Sequence, residues 1–193
     1  MAGEAKSRSD LIALYKAVMA AVVASGAQVI LFYGTLLGYK RCSDFIDGDD
    51  DVDVLIAHSD LPAFQRVVEQ TGGLSGRLLG SHPRQIYQVF ADGIGPFDVY
   101  PYYVTNGGKD VLDAWEGMLY DACDVFPTQL VDFHGFSVLV PRNPHTLLEG
   151  TYGTDYMTPM QKGSYVDSVG VRRCSDVART IGDAYGVCVS SEQ

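Results

Sequence analysis

Residues 44–56 read DFIDGDDDVDVLI. Six aspartates fall between Asp44 and Asp53, and the run passes straight into an apolar stretch. Like charges at the mouth of a buried element oppose folding through both repulsion and desolvation. In a strand successive side chains alternate between faces, so Asp51 and Asp53 project to one side while Val52 and Val54 enter the core. Two carboxylates side by side are costly unless a cation lies between them, and a hard divalent ion that prefers oxygen ligands meets that need. The stretch PFDVYPYY, residues 96–103, repeats the idiom, with Asp98 on one face and Phe97 and Val99 on the other. Three carboxylates from two strands can hold one or two Mg²⁺ ions. Because Mg²⁺ keeps coordination positions for substrate phosphates, the chemistry implied is phosphoryl or nucleotidyl transfer. The plainer alternative makes Asp44, Asp47, Asp49 and Asp50 turn residues that only cap and initiate.

Upstream, FYGTLLG (residues 32–38) sets Gly34 and Thr35 between a strand and a helix start. Free N–H groups and the helix dipole favour an anion there, and Gly34 lets a phosphate approach the main chain. The alternative is an ordinary strand-to-helix turn capped by Thr35. Further out, residues 7–26 repeat apolar side chains at helical spacing, with Ser7 or Ser9 as cap and Gly26 as terminator. QVILFYG and DVDVLIA read as strands, LPAFQRVVEQTGG as a helix capped by Ser59 or Asp60, and RQIYQVFA and PFDVYPYYV as strands. LVDFHGFSVLVP reads as a hairpin about His134 and Gly135, and NPHTLLEGTYG as a helix capped by Asn143. The order predicts an α+β protein, a mixed α/β sheet with flanking helices on one face.

The 193 residues, 47% hydrophobic and 20% charged, suit a single domain over 1–193. A formal net charge of −10 without a basic run argues against nucleic acid as a partner. No stretch is apolar for long enough to span a bilayer, and MAGEAKSRSD lacks the apolar core of a secretion signal, so a soluble, cytoplasmic protein is expected. Cys42, Cys123, Cys174 and Cys188 show no Cys-x-x-Cys spacing and read as reduced core thiols. His58, His82, His134 and His145 form no zinc-type pair, and no nucleophile elbow supports serine hydrolysis.

The run YGTLLGYKRCSDFIDGDDDVDV (residues 33–54) resembles the signature of the LicD/fukutin-related family, GTLLG-x-x-R followed by F-I-x-W-D-D-D-I-D. FDVYP at residues 97–101 is similar to that family's F/I-D-I-F-P. VPRNPHTLLEGTYGTDYMTP, residues 140–159, is similar to its V-P-x-N-x-x-x-x-L-x-x-x-YG-x-DYM-x-P close. The resemblance implies a nucleotidyltransferase-like fold and transfer of a phospho-alcohol, phosphocholine- or polyol-phosphate-like, from a CDP-linked donor to a sugar or polyol hydroxyl. By the same resemblance Asp51, Asp53 and Asp98 match the catalytic, metal-binding carboxylates, with Mg²⁺ (or Mn²⁺) as cofactor. Asp98 is either the third ligand or the base. Gly34 and Thr35 match the phosphate-side turn, and Arg41 matches the arginine after GTLLG, where it clamps donor phosphate or pairs with an acidic neighbour. Asp155 contacts substrate or anchors its loop. The usual Pro-Trp before the triple aspartate is Asp47-Gly48 here, which bears on substrate choice. Two other functions fit the same residues: transfer of NMP from an NTP, and non-catalytic nucleotide binding.

Overall fold

The computed structural model describes residues 6–159 and 171–185. In chain order its elements are α1 (Arg8–Ser25), β1 (Val29–Leu31), α2 (Tyr33–Cys42), β2 (Val52–Ala57), α3 (Leu61–Gln70), β3 (Leu74–Ser81), β4 (Arg84–Ala91) and β5 (Ile94–Thr105). There follow β6 (Asp110–Asp113), β7 (Met118–Asp121), α4 (Ala122–Val125), β8 (Gln129–Phe133), β9 (Phe136–Val140), α5 (Pro144–Tyr152), β10 (Arg172–Arg173) and α6 (Val177–Tyr185). The helix ends follow local chemistry. The Ser7 hydroxyl accepts from the Asp10 N–H, and Gly26 closes α1 in the left-handed conformation at φ 72°. His134 and Gly135 form the hairpin turn between β8 and β9, both at positive φ.

The strands join one mixed sheet in the order β10-β7-β6-β5-β2-β1-β9-β8, with β4 added to β5 and β3 to β4. β2 runs parallel to β5 and β1 parallel to β9; the remaining pairs are antiparallel. On its edge away from β2, β5 has two partners in succession: β4 opposite Phe97–Val99, then β6 opposite Tyr102–Thr105. Pro101, with no N–H to give, stands where the partner changes.

Alternation sorts the strand residues into two cores. Val52, Val54, Ile56, Phe97 and Val99 pack beneath α1 and α3, where Tyr15 and Phe64 are fully buried. Ile30, Leu55 and Tyr100 point the other way, onto Tyr120, Val125 of α4 and Leu147 of α5. Helices therefore flank both faces rather than the one expected, because β1, β2 and β5 carry apolar side chains in both directions. The thiols also depart from expectation: Cys42 and Cys123 are exposed and Cys174 half-buried, all three free, and Cys188 lies outside the described residues. Among the described residues no helix is long and apolar enough to cross a membrane.

Candidate active site

The parallel register of β2 and β5 sets Asp53 directly opposite Asp98, with Val54 opposite Val99 behind them. Asp51 enters β2 two residues earlier and shares their face. One carboxylate oxygen from each of Asp51, Asp53 and Asp98 lies within 4.8 Å of the others. Asp49, Asp50 and Asp51 form a second group within the same limit, so Asp51 belongs to both.

The first turn of α2 holds Asp53 twice. Gly34 N–H donates to Asp53 Oδ2 at 3.0 Å, and the Asp53 N–H donates to Thr35 Oγ1 at 2.8 Å. Tyr100, two residues after Asp98 and so on its face, donates its hydroxyl to Asp53 Oδ1 at 3.2 Å. Gln88 Nε2 donates to Asp98 Oδ1 at 2.9 Å. Among the described residues every partner of Asp53 and Asp98 is a neutral donor.

The electrostatics follow. Burial pushes the Asp53 carboxyl well above its usual range, and the charges of Asp51, Asp98 and Asp49 push it further, against the Gly34 N–H. Asp98 is raised to about 6, chiefly by burial; Asp50 adds to this while the Gln88 amide, Arg77 and Lys6 oppose it. Clustered oxygens, crowding like charges and no cationic hydrogen-bond partner on Asp53 or Asp98 fit a hard divalent cation.

A sign follows for metal-free protein. Groups whose folded-state pKa is raised stabilise fully below the unfolded value of 3.8 and lose that contribution as pH rises through about 6. In a chelator, lowering pH from 8 to 5 should raise stability by on the order of 1 kcal/mol through Asp98 alone, about 2–4 °C in Tm. Asp110, lowered by its Arg172 bond, loses its contribution only at more acid pH. Thermal melts in a chelator across that window check this; a Tm that falls on acidification contradicts it. A divalent ion at pH 8 should recover the loss.

The acidic run walls a cavity of about 280 Å³, with Gly34, Gly48 and Tyr152 among its other lining residues. Gly48 turns at φ 81°, a conformation that would strain the tryptophan of the resembled motif. Asp44 and Asp47 are more than turn formers. Arg8 pairs with both, at 3.3 and 2.5 Å, and His134 Nε2 lies 3.0 Å from Asp44 Oδ1, tying the loop to α1 and to the β8–β9 turn.

The structure thus gathers Asp51, Asp53, Asp98 and Gly34. Gly34 lines the cavity, but its N–H is spent on Asp53, so the anion at the start of α2 is a carboxylate of the chain itself. Thr35 is buried beneath Asp53 and does not line the cavity. Nor does Asp98, which joins the cluster from the β4 side. Arg41 stands elsewhere. Its Nε donates to the Tyr156 carbonyl at 2.7 Å and its Nη2 to the carbonyls of Tyr156 and Thr158, clipping the segment after α5 onto α2. Asp155 is exposed in that segment, outside the cavity.

Four residues of the site went unread in the sequence: Tyr100, Tyr152, Gln88 and Arg77. Period-two alternation from Asp98 points to Tyr100. Tyr152 lines the cavity, and burial followed by the charge of Asp53 raises its hydroxyl well above the usual range. The signal for it was the Tyr-Gly of the closing block.

A family model for the LicD/FKTN/FKRP nucleotidyltransferase domain matches residues 26–143. Similar solved structures include a solution structure of the antibiotic-resistance factor ANT(2'')-Ia, 13% identical with a TM-score of 0.47. It aligns with 70% of this chain, which spans 66% of that chain's own length. A crystal structure of ANT(2'')-Ia in complex with adenylyl-2''-tobramycin is 14% identical, with a TM-score of 0.42 over 67% of this chain and 68% of that one. No curated protein matches the sequence.

Proposed function

This chain belongs to the LicD/FKTN/FKRP family through its nucleotidyltransferase domain, and from that premise we propose that it moves a phospho-alcohol from a CDP-linked donor to a sugar or polyol hydroxyl. The observation that carries the reading is the pairing of Asp53 with Asp98 across two parallel strands, with Asp51 alongside and all three within 4.8 Å. Asp51 and Asp53, with Asp98 as third carboxylate, would hold Mg²⁺ or Mn²⁺. A bound divalent ion supplies positive charge against the donor diphosphate oxygens and the developing charge of the leaving CMP.

The chain's own groups do the rest. Gly34 N–H and the Tyr100 hydroxyl fix both oxygens of Asp53, so the site meets the donor already ordered. The cavity beside Asp49, Asp50 and Asp51 would receive the donor diphosphate next to the carboxylates that would hold the ion. Asp98 either completes the metal set or takes the proton of the acceptor hydroxyl, for which its metal-free carboxyl, raised to about 6, is suited, since a base acts best with a pKa near the working pH. The acceptor then approaches from the β4 side and the donor from the cavity, on opposite flanks of the cluster. Arg41 acts as a positioning residue, holding the segment that follows Tyr152.

The test is product analysis with Mg²⁺ or Mn²⁺ on CDP-choline, CDP-ribitol, CDP-glycerol and nucleoside triphosphates. CMP release from a CDP-alcohol supports phospho-alcohol transfer. Pyrophosphate release from a triphosphate replaces it with NMP transfer, which the same carboxylates would serve. Metal-independent binding without turnover leaves a nucleotide-binding protein.

A further inference from the structure

On its side away from Asp53, Asp98 is bonded to a residue that is itself held. Arg77 on β3 stands opposite Gln88 on β4, Gln88 opposite Asp98 on β5, and Asp98 opposite Asp53 on β2. Directly opposed residues share a face, so the four side chains form one row across four strands, ending at the acidic cluster. Within the row Arg77 Nη2 donates to Gln88 Oε1, and Gln88 Nε2 donates to Asp98 Oδ1 at 2.9 Å.

A glutamine amide has one accepting end and one donating end, whereas a guanidinium only donates. Turned about, the Gln88 amide would set its oxygen against the Asp98 carboxylate and its NH₂ against the guanidinium. Arg77 therefore fixes which end of Gln88 faces Asp98. Arg77 is steadied in turn by Phe90, with the guanidinium carbon 5.5 Å from the ring centroid, and among the described residues it has no carboxylate within ion-pair distance. An arginine on an acidic chain that is bonded to a neutral amide is poorly explained as surface charge pairing. It is well explained as the outer end of a relay.

Resting on the metal site of the proposed function, we propose that Gln88 is the positioning residue of Asp98 and that Arg77 sets the Gln88 amide. The row pins one Asp98 oxygen and so fixes where the other stands beside Asp51 and Asp53. Outer partners of ligating carboxylates commonly govern metal affinity in this way.

Calorimetric titration of the metal-free full chain with Mn²⁺, with no donor present, tests the relay apart from turnover. Gln88→Met keeps the shape and removes the amide, and should weaken Mn²⁺ binding about tenfold. Arg77→Met keeps the stem over Phe90 and should weaken it about threefold, with the double variant no weaker than Gln88→Met because Arg77 supports the site through Gln88, while its direct charge on Asp98 is the smaller effect and, once removed, favours a cation. Melts in a chelator verify folding. If Gln88→Met melts early, the exposed Arg77→Met carries the test alone, and unchanged affinity there overturns the relay. Wild-type affinity in Gln88→Met, or additive losses in the double variant, also overturn it. A chain that shows the expected pattern yet releases neither CMP nor pyrophosphate keeps the relay and loses the reaction; a wild-type chain that takes up no Mn²⁺ loses both.

Discussion

Asp53→Asn should reduce CMP release by at least about a hundredfold, while the metal-free protein melts higher than wild type. The two directions come from one cause. Asp53 is 6% exposed, bonded only to neutral donors and crowded by Asp51, Asp98 and Asp49, so its charge is a liability until a cation arrives. Asparagine keeps one acceptor, its Oδ1 for the Gly34 N–H, and sets its NH₂ where the other oxygen faced Tyr100, whose hydroxyl can turn to accept from it, so the charge goes while the shape and both contacts stay. Turnover, Mn²⁺ affinity and Tm in a chelator are the three readings. A variant that loses activity and also melts several degrees lower would mark Asp53 as scaffold rather than site.

Gly38→Ala should cost about 1–3 kcal/mol or more, although helix propensity alone favours alanine by about 1 kcal/mol. A Cβ at Gly38 would lie 2.4 Å from the Asp44 carbonyl oxygen and 3.1 Å from the Ile46 nitrogen, both main-chain atoms that cannot swing aside. The close approach outweighs propensity because α2 must then move off the loop that carries Asp49 and Asp50. At about 2–4 °C per kcal/mol, Tm should fall by about 2–12 °C. Gly34→Ala is the contrasting case: its Cβ would meet Asp49 Oδ2 and Asp53 Oδ2, each at 3.2 Å, which are side-chain atoms. That variant should keep most of its stability and lose activity. Equal stability of Gly38→Ala and wild type would remove the close-packing account of the second glycine in GTLLG.

The acidic strands were legible because alternation leaves little freedom. With Val52, Val54, Phe97 and Val99 obliged to enter the core, Asp51, Asp53 and Asp98 had to share the opposite direction. What alternation does not give is the neighbour. That Gly34 N–H goes to Asp53 rather than outward, and that Arg41 turns to the Tyr156 carbonyl, depends on how α2 lies against β2 and on the chain after α5. β3 was unreadable for a different reason. LSGRLLGS carries two glycines and an arginine and is exposed almost throughout, so it offers no buried period. It is a strand through its antiparallel ladder with β4, from Leu74 opposite Ala91 to Ser81 opposite Arg84, and Gly76 lets Tyr87 lie over it, where any Cβ would overlap the Tyr87 ring. Without β3 in view the row from Arg77 to Asp98 could not be drawn. β6 and β7 are four residues each, too short for periodicity to register.

The parallel union of β2 and β5 also bears on how long the folded chain lasts. The Tyr100 and Asp53 side chains that meet there are 47 positions apart, with α3 and the β3–β4 hairpin intervening. Such non-local pairing forms late in folding, after the local helices and hairpins. Repulsion among Asp51, Asp53 and Asp98 is felt only once these strands have closed, so it scarcely retards the ascent to the transition state and mainly hastens escape from the native basin. A cation seated on the three carboxylates then acts as a brake on opening, lengthening the native lifetime while leaving the refolding rate nearly as it was.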